Sequence, residues 1–91
     1  MNKLVLIYTQ EGCPHCTELK EMLDNNSIKY YVRDIIKHEA EFEDIVKITK
    51  EDYIPTVCVL DVKKETGVYL APDRDFQDIR ECLDKVKKII I

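Results

Sequence analysis

The chain is poor in everything that would divide it or carry it into a membrane. It has 2 glycines, 3 prolines and no tryptophan in 91 residues, and no Pro/Gly/Ser-rich tract, internal repeat or low-complexity segment interrupts it. Linkers and tandem modules are excluded on that ground. No apolar run approaches the roughly 18 residues needed to span a bilayer. Positive charge is not in excess either, with 14 Lys+Arg against 18 Asp+Glu and a net charge of -4. Such a balance offers no electrostatic footprint for polyanions. Neither nucleic acid nor membrane is expected as a partner. What remains is an ordinary globular composition, 45% hydrophobic and 35% charged. It suits a single domain over residues 1–91, monomeric and too small for a deep substrate chamber. Met1-Asn2-Lys3 puts one positive charge before the short apolar run Leu4 to Ile7. That reads as a strand rather than a signal peptide, and the expected location is cytoplasmic.

Periodicity orders the elements as βαβαββα. Leu4 to Tyr8 is a continuous apolar run, expected as a central strand buried on both faces. From Pro14 the pattern turns helical, with Cys16, Leu19, Met22 and Leu23 on one stripe and Asn25-Asn26 as the stop. Ile28, Tyr30 and Val32 alternate with Lys29, Tyr31 and Arg33, predicting a half-exposed edge strand. Phe42, Ile45, Val46 and Thr49 form the stripe of a charged helix over residues 39–50. Pro55 introduces the β-branched strand Thr56 to Leu60, followed by a turn over Lys63 to Gly67 and a second strand, Val68 to Leu70. The last helix is expected to start near Asp73 or Asp75, either of which can cap it, and to bury Phe76, Ile79, Leu83, Val86 and Ile90. This order predicts an α/β fold, a mixed four-stranded sheet with helices on both faces.

The chemistry concentrates at Cys13-Pro14-His15-Cys16, between the first strand and the first helix. Backbone N–H groups and the positive end of the helix dipole favour a thiolate at the first cysteine, while the second faces back into the first turn. Cys13 is therefore the expected nucleophile and Cys16 the resolving thiol, the pair closing a small-loop disulfide that exchanges readily. Pro14 and His15 are placed to tune the thiolate, His15 by adding an imidazolium to the helix field. The competing reading is a zinc site drawn from Cys13, Cys16, Cys58, Cys82, His15 and His38. It fails on spacing, because Cys58 and Cys82 stand alone rather than as a second knuckle. Haem attachment fails because Thr17, not histidine, follows Cys16. No metal and no tightly bound cofactor are expected. Cys58 and Cys82 suit inert packing.

The stretch Tyr8-Thr9-Gln10-Glu11-Gly12-Cys13-Pro14-His15-Cys16, together with Ile54-Pro55-Thr56-Val57, resembles the thioredoxin superfamily and, within it, the glutaredoxins. The resemblance covers essentially the whole chain and implies a thioredoxin-like fold. It also implies a cis Pro55 beside the active-site sulfurs, with the backbone of Ile54 pairing with a bound peptide or glutathione. Departures are visible. Thioredoxins carry tryptophan before the first cysteine, where this chain has Gly12, and a buried aspartate on the preceding strand, where Leu4 to Tyr8 has none. Common glutaredoxins place Pro-Tyr between the cysteines, and this chain has Pro-His. That dipeptide also occurs in oxidising periplasmic dithiol proteins, but with Met1 to Ile7 read as a strand start and no inserted helical domain expected between the elements, that lineage is not the expected one.

Glutaredoxins hold glutathione through a basic residue three before the first cysteine, the cis-proline segment and a Gly-Gly-x-x-Asp stretch before the last helix. By resemblance these places are Gln10, Ile54-Pro55 and Ala71-Pro72-Asp73-Arg74-Asp75. Gln10 brings no charge and Pro72 removes a backbone donor. Asp75 is placed to receive the ligand's ammonium and Arg74 to replace the missing cation, although Asp73 and Asp75 also serve as helix caps in a purely structural reading. Tyr8 by resemblance lines the active surface, against a plain core role, and Tyr53 shapes the groove. The implied function is a thiol–disulfide oxidoreductase acting on disulfide-containing proteins or mixed disulfides, with glutathione as co-substrate. Two alternatives stand beside it: an electron donor reduced by thioredoxin reductase, for example toward ribonucleotide reductase, and a redox-sensing or docking module without turnover.

Overall fold

The computed structural model describes residues 3–90. Met1 and Asn2, part of the N-terminal reading above, and Ile91, the end of the 1–91 domain, lie outside the described residues. The elements are β1 (Lys3–Thr9), α1 (Pro14–Asn25), β2 (Tyr31–Asp34), α2 (Glu39–Thr49), β3 (Thr56–Asp61), β4 (Thr66–Leu70) and α3 (Ile79–Ile90). The four strands form one mixed sheet in the order β2-β1-β3-β4. β1 runs parallel to β2 and antiparallel to β3, and β3 runs antiparallel to β4.

Strand alternation separates two cores, because successive side chains leave a strand on opposite faces. Val5 and Ile7 of β1, with Val57 and Val59 of β3, meet Leu19 and Leu23 of α1 and Ile79, Leu83 and Val86 of α3. Leu6, Tyr8, Cys58 and Leu60 point the other way, toward Phe42 and Ile45 of α2. Helices cover both faces, α1 and α3 on one and α2 on the other. β1 is central as expected, although Leu4 near its start is 37% exposed. Lys3 ties the strand to the end of α3, its Nζ donating to the carbonyl of Ile89 at 2.5 Å, where the helix dipole favours a cation.

Three sequence expectations are corrected. β2 spans only Tyr31–Asp34, because α1 ends in a left-handed turn at Ser27 (φ 56°), with the Ile28 N–H bonded back to Leu23. Ile28 and Tyr30 still pack on the core, but as incoming chain, and Val32 is 48% exposed at the sheet edge. The second hairpin strand starts at Thr66, so Gly67 lies inside it rather than in the turn. A side chain there would meet Cδ2 of its cross-strand partner Leu60 at 3.1 Å, so Leu60 would have to give by a few tenths of an ångström. The last helix starts at Ile79, and neither Asp73 nor Asp75 caps it. Asp73 is left-handed (φ 69°), its N–H bonds Phe76 O, and Asp75 N–H bonds Ala71 O, which closes residues 71–76 into a loop. The cap is Asp78, whose Oδ1 accepts the Glu81 N–H at 2.8 Å while Glu81 Oε1 accepts the Gln77 N–H at 2.6 Å. Phe76 is buried, but from the loop rather than from the helix.

Candidate active site

β1 delivers the chain to a tight turn before α1. Gly12 takes φ +85°, a left-handed conformation that side chains disfavour, and a Cβ there would touch nothing, so the glycine serves the backbone angle rather than space. Cys13 N–H then bonds Gln10 O at 3.3 Å, and Cys13 becomes the N-cap of α1. Its Sγ accepts the Cys16 backbone N–H at 3.2 Å. Pro14 occupies the first helical position, where a missing N–H costs nothing. Cys13 and Cys16 are joined as a disulfide, their Cα atoms 5.3 Å apart. Cys13 is partly exposed, whereas Cys16 is 1% exposed and lies on the buried stripe of α1. This asymmetry follows from the helix: its N-cap residue faces the turn, and Cys16, three positions on, faces the sheet. His15 stands out from the helix, 74% exposed, its Nδ1 3.5 Å from Glu18 Oε1.

A groove of about 550 Å³ runs past His15 and Glu18. The Tyr53–Pro55 segment forms one wall, with the Ile54–Pro55 peptide cis, and the Pro72–Asp73 turn and the first turn of α3 form another. Tyr53 is exposed at its rim and Thr56 holds the segment behind it, its hydroxyl donating to Tyr53 O at 2.9 Å. The structure thus brings His15, Ile54 and Pro55 to one surface. It does not bring the other expected contacts there. Gln10 is exposed but outside the groove lining. Asp75 Oδ2 accepts the Ala71 N–H and Arg74 Nε, each at 2.8 Å, and Arg74 also donates to Tyr69 O at 2.9 Å. Both residues brace their own loop.

Tyr8 is likewise turned away from this surface. It is 3% exposed in the α2-facing core, its ring 6.1 Å from that of Phe42 and its hydroxyl donating to Glu41 Oε2 at 2.5 Å. Burial, and then the Glu41 bond, push that hydroxyl well above the ordinary phenol range. Glu41 is held below the ordinary carboxylate range by the Arg33 guanidinium, which donates to it from Nε and Nη2 at 3.2 and 2.8 Å, and next by Tyr8. The position after a residue inside a strand points to the opposite face, so a motif-adjacent aromatic on β1 goes to whichever side the register dictates.

Sequence reasoning overlooked the α3 contribution, Asp78 and Arg80, to the groove. The spacing Asp78-x-x-Glu81 is a capping signature and would have placed the helix start correctly. Cys58 and Cys82 are buried free thiols on opposite sheet faces. Burial, and then the charge of Glu41, pushes Cys58 up to about 11; burial, and then Asp75, pushes Cys82 up to about 12, against a smaller opposing effect of Lys85. Among the described residues no group of three or more His, Cys, Asp or Glu side chains gathers at metal-binding distance, and no helix is long and apolar enough to cross a membrane.

A four-stranded mixed sheet with a disulfide at the strand-to-helix turn and a cis proline on the segment that shares a groove with His15 defines a thioredoxin-like protein. Within that class the chain belongs to the glutaredoxin family, whose sequence model matches residues 5–63 and ends before the Ala71–Asp75 loop. A comparison with curated protein sequences finds no match. Among solved structures, the thioredoxin-like protein BC3987 superposes with a TM-score of 0.61 at 26% identity, covering 93% of this chain and 97% of that one. A point variant of BC3987 gives 0.62 at 24%, over 96% and 99%. Buckwheat glutaredoxin in complex with glutathione gives 0.61 at 11%, over 94% of this chain and 70% of that one. At 11% identity the likeness to the plant protein is one of fold alone.

Proposed function

We propose that this protein is a thiol–disulfide oxidoreductase that reduces disulfide-containing proteins by a dithiol mechanism. One observation carries the reading: a partly exposed Cys13 whose sulfur accepts a helix N-terminal N–H, disulfide-bonded to a buried Cys16 one turn on. In the reduced protein the same N–H and the helix dipole stabilise a Cys13 thiolate. That thiolate attacks one sulfur of the partner's disulfide and expels the other as a thiolate, which takes up a proton. Cys16 then loses its proton and attacks Cys13 Sγ, closing the internal disulfide and releasing the partner's second thiol. Two electrons pass to the partner, and the protein is left oxidised. Two thiols of glutathione restore the dithiol by the reverse sequence and leave as glutathione disulfide. Pro14 and His15 bias the couple through the thiolate they flank. Among the groove residues, the Ile54 backbone is the docking edge for an extended peptide.

Reduction by thioredoxin reductase is the second reading, and a specific observation favours it. Arg74 and Asp75, the pair that would bind the two ends of glutathione, are spent on each other and on their own loop. Oxidised protein is supplied with NADPH and either glutathione plus glutathione reductase or thioredoxin reductase, and NADPH loss is followed. Glutathione-dependent turnover that is measurable but modest is the expected result. Turnover with thioredoxin reductase alone would assign the second reading, and none with either, nor with dithiothreitol and insulin, would leave a docking module.

A further inference from the structure

The groove combines an apolar floor with a biased rim. Met22, Ile54, Pro72, Phe76 and Ile79 supply the apolar surface. The ionised side chains lining it are Glu18, Asp73 and Asp78 against the single guanidinium of Arg80, and no lysine lines it. His15, the remaining titratable group apart from Tyr53, lies beside Glu18. Beyond the lining, Glu51 and Asp52 follow Lys50 into the Tyr53 wall, Arg74 follows Asp73, and Glu11 precedes Cys13 by two positions. Carboxylates therefore outnumber fixed cations in the groove beside His15, next to the Cys13–Cys16 turn, so the side-chain field there attracts cations and repels anions, while the helix N-terminus acts locally on Cys13. Glutathione, with two carboxylates and one ammonium, is a net anion.

We infer that the groove selects as its oxidised substrate a cationic protein segment, one with Lys or Arg beside its cysteine and an apolar side chain that fills the floor, over the mixed disulfide of glutathione. The inference rests on the disulfide-exchange reading above and specifies its substrate class. The exchange steps are unchanged; the charge acts on encounter and on the stability of the docked disulfide. The apolar neighbour follows from the floor, which an all-polar peptide would leave unfilled.

Three mixed disulfides with mercaptoethanol test it: the blocked peptides Leu-Cys-Lys and Leu-Cys-Glu, and glutathione. Each is mixed with the fully reduced protein, and the rate of the first turnover is measured, with hydroxyethyl disulfide as a neutral reference. The lysine peptide is expected to react about fivefold faster than the glutamate peptide or glutathione at low ionic strength, as one or two exposed charge contacts allow. The ratio should shrink toward one in about 0.5 M salt. In Glu18→Gln/Asp73→Asn the ratio should fall in the same way, asparagine being tolerated at the left-handed Asp73 position. Equal rates, a faster anionic substrate, or a preference that survives both salt and the double substitution would overturn the inference while the hydroxyethyl disulfide rate keeps the exchange reading intact. No reaction with any of the four disulfides would overturn the exchange reading, and the inference with it.

Discussion

Cys13 and Cys16 lie at a helix start, one of them reaching the surface, while Cys58 and Cys82 lie in the two cores. The residue type is the same and the surroundings are opposite. At the helix start, a backbone N–H meets the sulfur and solvent is near, so the charged form is supported. In the cores, apolar neighbours and a nearby carboxylate, Glu41 for Cys58 and Asp75 for Cys82, oppose charge and raise both thiols. Reactivity in this protein is a property of position. Of the four cysteines only Cys13 combines partial exposure with a backbone donor at its sulfur.

The largest expected effect breaks the comparison at its active end. Cys13→Ser should abolish exchange with every disulfide, whereas Cys16→Ser should still attack and then accumulate mixed disulfides that mass spectrometry detects. Retained turnover in Cys13→Ser would transfer the nucleophile elsewhere. Next, alkylation of the reduced protein at about pH 7.5 should label Cys13 at least about a hundredfold faster than Cys58 or Cys82. Thiols raised to about 11 and about 12 hold less than about one part in a thousand as thiolate there. Early labelling of Cys58, read by peptide mapping, would contradict that ordering.

A smaller effect concerns the α2 face. Arg33, and then Tyr8, hold Glu41 below its ordinary value of 4.5. The unfolded chain therefore binds this proton more readily than the folded one, and the stabilisation is complete above about pH 4.5 and is lost as the pH falls through the depressed folded value. Glu41→Gln should cost about 1 to 2 kcal/mol at pH 7, discounted for its partial exposure, and flatten the acid limb of a denaturation series. An unchanged acid limb would remove Glu41 from that role. The same substitution sharpens the cysteine comparison, because Cys58 should become somewhat more readily ionised while burial keeps it slow. The smallest effect is His15→Tyr. With the side chain 74% exposed, the Cys13 thiolate titration, followed by absorbance at 240 nm, should move upward by less than about one pH unit. No movement would make His15 a bystander.

Several features were legible in the chain alone because their causes are local. The Cys13–Cys16 spacing, the proline at the first helical position and the apolar periods of β1, α1 and α2 each depend on neighbours within a turn or two. The order of elements followed from these, and with it the sheet. The start of α3 was misplaced by three residues or more because Asp73, Asp75 and Asp78 are equal candidates by type. Glu81, three residues after Asp78, marks that aspartate as the cap, and the loop closure through Ala71 and Phe76 takes Asp73 and Asp75 out of the role.

What the sequence determined by itself is therefore the identity of the reacting pair and the order of strands and helices, since helix starts, strand periods and a two-residue spacing are written in consecutive residues. Tertiary structure alone decided which side chains meet around that pair. It turned Tyr8 to the α2 face through the strand register, bound Arg74 and Asp75 into their own loop, and carried Asp78 and Arg80 to the groove beside Ile54 and Pro55. The placement of Tyr8 and of the groove residues depends on contacts between residues more than twenty positions apart, set by the pairing of β1 with β3 and the packing of α3 across the sheet, whereas Arg74 and Asp75 are held within five positions by a loop closure that their residue types do not announce.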